Sequence, residues 1–167
     1  MKTDGAPIFR NMTRLRAHVA SMRPQNTVLA NGCFDPLHVG HVRYLDGAKS
    51  YGDYLVVAIN DDRSTRTLKG NGRPIMSVGD RARLIASLDM VDAVLIFSAR
   101  NVSRILKTLR PQFHAKGTDY TKETVPELAT SRALGVETII VGDAKSHASS
   151  DIVCQIQNSR SKSGAES

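Results

Sequence analysis

Residues 27–41 read TVLANGCFDPLHVGH, and this stretch indicates which class of fold the chain adopts. Residues 27–31 form a short apolar run typical of a buried strand, and residues 39–51 have the apolar spacing of a helix. Gly32 and Pro36 mark a turn between the two elements. Such a unit places a helix N-terminus at the end of a strand, where unsatisfied N–H groups and the helix dipole favour an anion.

Further strands and helices alternate outward from this unit. The pattern predicts strands at residues 53–60, 93–97, 112–116 and 136–141, and helices at residues 11–22, 77–88, 102–109, 124–134 and 149–157. Strands separated by helices indicate parallel βαβ units. We therefore predict an α/β fold: a single Rossmann-like, doubly wound domain with a parallel five-stranded sheet. The predicted divisions are a leader and helix at 1–25, the domain at 26–157 and a disordered tail at 158–167.

Composition excludes several classes of protein. The 167 residues suit one globular domain, with 41% hydrophobic and 23% charged residues. Aromatics are only 5% and Trp is absent, which disfavours recognition of bases by stacking. No apolar run approaches the roughly 20 residues of a membrane span, and the N-terminus has no apolar signal core, so we expect a cytoplasmic protein. Cys33 and Cys154 are too few for a disulfide framework or a cysteine zinc site.

The charge points to an anionic partner. Lys and Arg number 23 against 16 Asp and Glu, a net charge of +7. Six basic residues lie between positions 63 and 83, with one acidic residue, Asp80, among them. Nucleic acid, nucleotides and sugar phosphates would all be attracted. The charge alone does not choose among them.

The candidate chemistry lies in His38-Val39-Gly40-His41. Residues three apart share a helix face, so both imidazoles point the same way at a helix N-terminus, and Gly40 leaves room for a phosphate. Two alternatives are surface histidines and a metal site. A metal site is disfavoured because no third ligand follows at a suitable spacing, and we predict no protein-bound metal. All these local features together fit a phosphate site.

The same stretch resembles the signature of the cytidylyltransferase-like nucleotidyltransferase superfamily, H-x-G-H after a glycine-containing strand end. The resemblance spans residues 27–157 and is closest to bacterial heptose 1-phosphate adenylyltransferases. It is carried by an ordered set of further segments: Lys69-Gly70, Arg73-Pro74, Arg81, Val91-Asp92, Lys116-Gly117-Thr118-Asp119-Tyr120 and Ser149-Ser150.

The resemblance implies transfer of a nucleotidyl group to a phosphorylated acceptor with release of pyrophosphate. It implies that Mg²⁺ is bound mainly through the triphosphate, and that His38, His41, Lys69 and Arg81 are catalytic. Lys69 lies in a glycine-containing segment, residues 68–74, that could close as a lid. The implied nucleotide-binding residues are Asn31, Gly32, Cys33, Phe34, Asp35, Gly40, Lys116, Gly117, Asp119, Tyr120, Ser149 and Ser150. Each of three residues also has an alternative role without contact to substrate. Lys69 could be a solvent-exposed surface lysine, Ser149 could be only a helix N-cap, and Asp35 could hold the turn.

Departures from related enzymes indicate the substrates. CTP-dependent relatives carry Arg-Tyr-Val-Asp where this chain has residues 89–92, DMVD, and an Arg-Thr segment before the last helix where it has residues 143–150. Lys116-Gly-Thr-Asp-Tyr120 resembles the segment of the heptose enzymes. We therefore expect ATP and heptose 1-phosphate as substrates, ADP-heptose as product, and a stand-alone transferase.

Three alternatives stay open. One is a CTP-dependent cytidylyltransferase acting on glycerol 3-phosphate or a phospho-alcohol. The others are a nucleotide sensor without catalysis and a basic nucleic-acid-binding module, although no nucleic-acid or membrane partner is expected. The resemblance also implies a homodimer.

Overall fold

A computed structural model describes residues 5–142 of the chain. The strands are β1 (Ile8–Phe9), β2 (Thr27–Gly32), β3 (Tyr54–Asn60), β4 (Ala93–Phe97), β5 (Phe113–Gly117) and β6 (Glu137–Val141). The helices are α1 (Met12–Met22), α2 (Val39–Lys49), α3 (Asp62–Lys69), α4 (Val78–Ala86), α5 (Ser103–Leu109) and α6 (Leu128–Leu134), with a 3₁₀ turn at Lys122–Thr124. The predicted helix at 149–157 and the tail at 158–167 lie outside the described residues.

The strands form one all-parallel sheet in the order β1-β4-β3-β2-β5-β6. From β2 the chain runs outward through β3 and β4, and it then crosses to the other side of β2 for β5 and β6. The strand order therefore reverses between β2 and β5. In doubly wound sheets, ligands bind at such a reversal, beyond the carboxyl ends of the strands.

Two apolar layers sandwich the sheet. One contains Leu45 of α2 and Ile85 of α4, packed on strand residues such as Val57. The other contains Leu15 of α1 and Leu106 of α5, on the opposite face. Every residue of β3 is buried, which explains the near-continuous apolar run that the sequence shows there.

The prediction of five strands was wrong, because the sheet has six. The additional strand is β1, which pairs with β4 at the edge of the sheet, Ile8 opposite Val94 and Phe9 opposite Leu95. Two residues are too few to show the alternating pattern by which a strand is identified. The parallel α/β architecture itself is confirmed.

Helix α3 was not predicted as a helix. Its residues, DRSTRTLK, present Ser64 and Thr65 to the interior, so the apolar periodicity of a helix is missing. The Asp61 carboxylate caps it by accepting a hydrogen bond from the Ser64 N–H over 2.7 Å. Among residues 5–142, no helix combines the length and apolar character of a bilayer span.

Candidate active site

Most of the predicted site residues that the structure describes lie at the carboxyl ends of β2 and β5, whereas Lys69 is on α3 and Arg81 on α4. The β2 end supplies the turn from Asn31 to His41, here called the phosphate loop, and the β5 end supplies residues 116–120. The two strands pair directly, Ala30 opposite Ala115. This is the edge at which the reversal of strand order predicts a ligand.

The two histidines form a stacked pair at the start of α2. His38 is the N-cap residue, and the ring centroids of His38 and His41 are 3.8 Å apart at an interplanar angle of 29°. His41 Nδ1 accepts a hydrogen bond of 3.3 Å from the backbone N–H of His38. Since Nδ1 is an acceptor, the proton of a neutral His41 ring is carried on Nε2, which makes Nε2 a hydrogen-bond donor.

The surroundings of His41 favour its neutral form. Burial, together with the neighbouring charges of His38 and Lys69, lowers the pKa of His41 to about 3. Asp119 acts in the opposite direction and raises the pKa. Lys69 and Asp119 therefore both act electrostatically on His41. At neutral pH His41 therefore offers a neutral N–H donor to an anion.

Phe34 shapes the phosphate loop. Its φ of 51° lies in the left-handed region, which non-glycine residues rarely adopt. The ring is 2% exposed and meets His41 edge-on, with centroids 5.1 Å apart. A Cβ at Gly32 would lie only 3.2 Å from this ring, so a side chain at position 32 would displace the Phe34 ring by a few tenths of an ångström.

Arg81 lies beneath the loop, fully buried, and its guanidinium binds four groups of the protein. Nη1 donates to the carbonyl oxygens of Cys33 over 2.6 Å and of Asn60 over 2.9 Å. Nε donates to the carbonyl of Met76 over 3.0 Å, and Nη2 pairs with the Asp62 carboxylate over 2.7 Å. Arg81 thus ties together the ends of β2 and β3, the start of α3 and the residue preceding the N-cap of α4.

Asp35 is also turned inward. Its carboxylate is buried and accepts hydrogen bonds of 2.9 Å from the N–H groups of Ile75 and Met76. Arg73 pairs with the same carboxylate over 3.0 Å and also donates to the Asp35 carbonyl. Asp35 therefore fastens the segment 73–76 to the phosphate loop.

Lys69 is the last residue of α3 and is exposed. The segment after it contains Gly70 and Gly72, both with positive φ and with no neighbouring atom within 4 Å of a Cβ placed on either. These glycines give the backbone freedom between Lys69 and the point where Arg73 is held by Asp35. This arrangement fits the lid that the sequence suggested, and its movement stays a prediction.

The β5 side of the site contains a buried lysine. Lys116 is 5% exposed, and its ammonium lies 3.3 Å from a carboxylate oxygen of Glu127 and 3.4 Å from Asn31 Oδ1. The ring of Tyr120 covers the ammonium at 4.9 Å. A turn closed by the Tyr120 N–H and the Gly117 carbonyl connects the two residues.

Two residues that sequence analysis missed join these parts. The buried hydroxyl of Tyr44, on α2, donates to the Ala115 carbonyl over 2.9 Å and accepts from the Asn31 N–H over 3.2 Å. Burial raises the pKa of Tyr44 well above its usual value. Glu127, the N-cap residue of α6, pairs with Lys116. Neither residue stands in a recognisable motif, so the sequence carried no signal for them.

The structure thus brings Asn31, Gly32, Cys33, Phe34, His38, Gly40, His41, Lys69, Gly117, Asp119 and Tyr120 to one edge of the sheet. The side chains of Asp35, Arg81 and Lys116 are engaged inside the protein instead. Ser149 and Ser150 lie outside the described residues. The functional roles of all these residues stay predictions.

A parallel α/β sheet with a helix N-terminus at its strand-order reversal defines the Rossmann-like class, and in this class that edge of the sheet is where phosphate-containing ligands bind. Comparison with known proteins narrows this class. The profile of the Cytidylyltransferase-like family matches residues 29–158, and the chain belongs to this family.

Individual relatives and solved structures are consistent with this family assignment. The chain is 44% identical over 147 residues to the "Bifunctional protein HldE" of Geotalea uraniireducens, a match that covers 86% of this chain and 30% of that protein. A lipopolysaccharide core biosynthesis protein from Thermoplasma volcanium has a similar structure, with a TM-score of 0.62 and 27% identity over 72% of this chain and 98% of that one. Pantothenate synthetase from Thermus thermophilus, 14% identical with a TM-score of 0.65 over 87% of this chain and 67% of that one, shares the fold.

Proposed function

We propose that this chain is an adenylyltransferase that transfers AMP from ATP to a sugar 1-phosphate, heptose 1-phosphate, releasing pyrophosphate and forming ADP-heptose. The observation that carries this proposal is the stacked His38–His41 pair at the N-terminus of α2. Family membership and the similarity to the HldE proteins support it. The chain spans only 30% of the length of that HldE relative, so the identity of the substrates is part of this proposal.

The chemical step needs little from the protein. An oxygen of the acceptor phosphate attacks the α-phosphorus, the bond from that phosphorus to the α–β bridging oxygen breaks, and its electron pair leaves with pyrophosphate. The second pKa of a phosphate monoester is about 6, so the attacking oxygen is already largely ionised at pH 7 and needs no general base. Catalysis then depends on alignment and on stabilising the charge of the leaving group.

The histidine pair would stabilise that charge. Neutral His41 presents an Nε2–H donor without requiring a proton from solvent, since its Nδ1 is already occupied by the His38 N–H. The first turn of α2 adds backbone N–H groups and the positive end of the helix dipole. Lys69, whose positive charge contributes to the lowered pKa of His41, would bring a positive charge to the same phosphates or to the acceptor.

Arg81 would act through the loop. Its hydrogen bond turns the Cys33 carbonyl inward, and in a trans peptide the following N–H, that of Phe34, points the opposite way. That N–H is then available to the α-phosphate as an oriented donor. Arg81, which the resemblance implied to be catalytic, is therefore proposed to be a positioning residue.

Mg²⁺ would arrive with the nucleotide. Within residues 5–142, no three His, Cys, Asp or Glu side chains form a cluster able to hold a metal ion. The donors around the histidine pair are mainly imidazole and ammonium groups, which suit phosphate oxygens, whereas Mg²⁺ prefers oxygen ligands such as those of a triphosphate. When bound there, the ion would neutralise charge on the departing pyrophosphate.

Pyrophosphate release tests the proposal directly. Purified protein with Mg²⁺ is assayed over a grid of ATP, CTP, GTP and UTP against heptose 1-phosphate, glycerol 3-phosphate and phosphoethanolamine. We expect turnover with ATP and heptose 1-phosphate alone, its loss in His41→Ala and its retention in His18→Ala, a histidine on α1. Turnover with CTP and glycerol 3-phosphate would keep the reaction type and overturn the substrates, and nucleotide binding without turnover would indicate a sensor.

The same proposal includes a cytoplasmic homodimer. Light scattering on the purified protein, with and without ATP, measures the mass of the particle in solution. We expect a mass of twice that of the 18.2 kDa chain. A catalytically active monomer would show that the homodimer is not part of the function.

A further inference from the structure

A buried polar layer separates α6 from the sheet beside the site. Its members are the buried polar side chains of His114, Lys116, Glu127, Ser131 and Thr138. His114 stands opposite Thr138 in the pairing of β5 with β6. Much of this face of the sheet is apolar, as at Leu29, Val56 and Leu95, so the clustering of five buried polar side chains here calls for an explanation beyond packing.

Glu127 is the centre of this layer. One carboxylate oxygen lies 3.3 Å from the Lys116 ammonium, and the other accepts a 3.2 Å hydrogen bond from the N–H of Val102, the N-cap residue of α5. Since Glu127 also begins α6, one carboxylate connects α5, α6 and β5. Its side chain is 2% exposed, and such a charge is tolerated only when it is paired.

Lys116 extends the connection to the phosphate loop. Besides Glu127, its ammonium contacts Asn31 Oδ1, which is also 3.1 Å from His114 Nε2. Burial and the charge of Lys116 lower the pKa of His114 to about 4, so His114 is neutral at pH 7 and its Nε2–H can donate to Asn31. The ring of Tyr120 lies over the ammonium. Lys116 therefore holds together the end of β2 and the turn 117–120.

We infer that Glu127 and Lys116 act as a pair of positioning residues for the nucleoside side of the site. The pair holds the turn Gly117–Tyr120 against Asn31, and the ammonium does so without touching phosphate. This inference rests on the proposed function, because it assigns residues 117–120 to the nucleotide. It replaces the sequence-based expectation that the Lys116 side chain binds nucleotide directly.

A double-substitution cycle tests the pair. Removing one partner leaves the other charge buried alone, whereas replacing both with neutral groups of similar size leaves no buried charge. Lys116→Met, Glu127→Gln and the double variant are compared for ATP affinity by calorimetry, and for the KM values of ATP and of the acceptor. The exposed Lys122→Met/Glu123→Gln pair on the neighbouring 3₁₀ turn is the matched control.

We expect each single variant to weaken ATP binding by about 10-fold or more, with KM for ATP rising and KM for the acceptor nearly unchanged. The double variant should return to within about fivefold of wild type, and the control should not change. A double variant as weak as Lys116→Met would show that the ammonium contacts phosphate and would overturn the inference. Wild-type affinity in the single variants would overturn it as well.

Two provisions keep this test distinct from that of the proposed function. Calorimetry measures ATP binding even if no acceptor is turned over. The role of the Lys116–Glu127 pair can therefore be disproved in an active enzyme, and it can be supported even if the proposed acceptor is not the substrate. If a single variant does not fold, the double variant is still decisive, since a direct phosphate contact predicts a folded protein with weak ATP binding.

Discussion

The guanidinium of Arg81 donates a 2.6 Å hydrogen bond to the backbone carbonyl of Cys33, and so supports the phosphate loop from inside the protein. The loop itself contains a strained residue, Phe34, with a φ of 51°. Strained backbone persists where its surroundings over-determine it. The four groups held by Arg81 provide that determination, so the geometry of the histidine pair depends on a residue that lies outside the open site.

Replacing Arg81 with Lys should therefore impair catalysis although the charge is kept. An ammonium cannot reach the carbonyls of Cys33, Asn60 and Met76 together with the Asp62 carboxylate, because it lacks the planar fork of a guanidinium. We expect kcat to fall by about 100-fold, the scale of a displacement of about 1 Å at a reacting centre. Arg83→Lys, an exposed residue on the same helix, is the control in the same steady-state assay. Unchanged kcat in Arg81→Lys would contradict a positioning role.

Asp35→Asn should loosen the segment 73–76. The amide group cannot accept both backbone N–H groups and pair with the Arg73 guanidinium at the same time. Exchange of the Ile75 and Met76 amide hydrogens should accelerate about 10-fold or more, matching a loss of about 1.4 kcal/mol of local stability or more. Hydrogen exchange followed by mass spectrometry measures this, with the exposed Asp89→Asn as control. Equal exchange in both variants would mean that Asp35 does not fasten the segment.

Tyr44→Phe should lower the free energy of unfolding by about 1–3 kcal/mol, because it removes a buried hydroxyl that bridges the Asn31 N–H and the Ala115 carbonyl. Tyr51→Phe, on a ring that is 45% exposed, should change it by less than about 0.5 kcal/mol. Urea titrations of the two variants and the wild type provide the comparison. If both substitutions lower the free energy of unfolding equally, the two hydrogen bonds of the Tyr44 hydroxyl do not stabilise the fold as expected.

His41 should make the fold less stable in acid. Its pKa is about 3 in the folded chain against about 6.5 unfolded, so between these values the unfolded state binds more protons and stability falls as pH falls. From pH 7 to pH 5 the loss through this group is about 2 kcal/mol. Denaturant unfolding at the two pH values measures the fall in the free energy of unfolding. This fall should be smaller by about that amount in His41→Gln than in the wild type. An equal fall in both proteins would show that other groups cause the acid sensitivity.

Particular residues show how far the sequence predicts this molecule. The apolar runs of β2 and β3 and the spacing of α2 identify a parallel α/β fold, since burial on both faces leaves a readable pattern. The edge strand at Ile8–Phe9 and the polar helix α3 leave no such pattern, and both were missed. Turn residues and the histidine spacing locate the phosphate loop, because backbone geometry requires them there.

The sequence does not show which charged side chains turn inward. Arg81, Asp35 and Lys116 read as candidates for contact with substrate, yet each is buried against protein partners distant in the chain. Such pairings, Lys116 with Glu127 for example, depend on which strands become neighbours. The motifs therefore predicted which residues lie together at this edge of the sheet, whereas only the structure shows which of their side chains are held by other protein groups.

Phosphorus NMR shows whether the AMP group of ATP, rather than its γ-phosphate, is transferred to the acceptor. ATP, heptose 1-phosphate and Mg²⁺ are incubated with the protein, and the phosphorus signals of the products are assigned. We expect a new pyrophosphate diester joining the acceptor phosphate to AMP, together with free pyrophosphate in equal amount, and neither signal with His41→Ala. The appearance of ADP with a newly phosphorylated sugar would show transfer of the γ-phosphate instead and would contradict the proposed function.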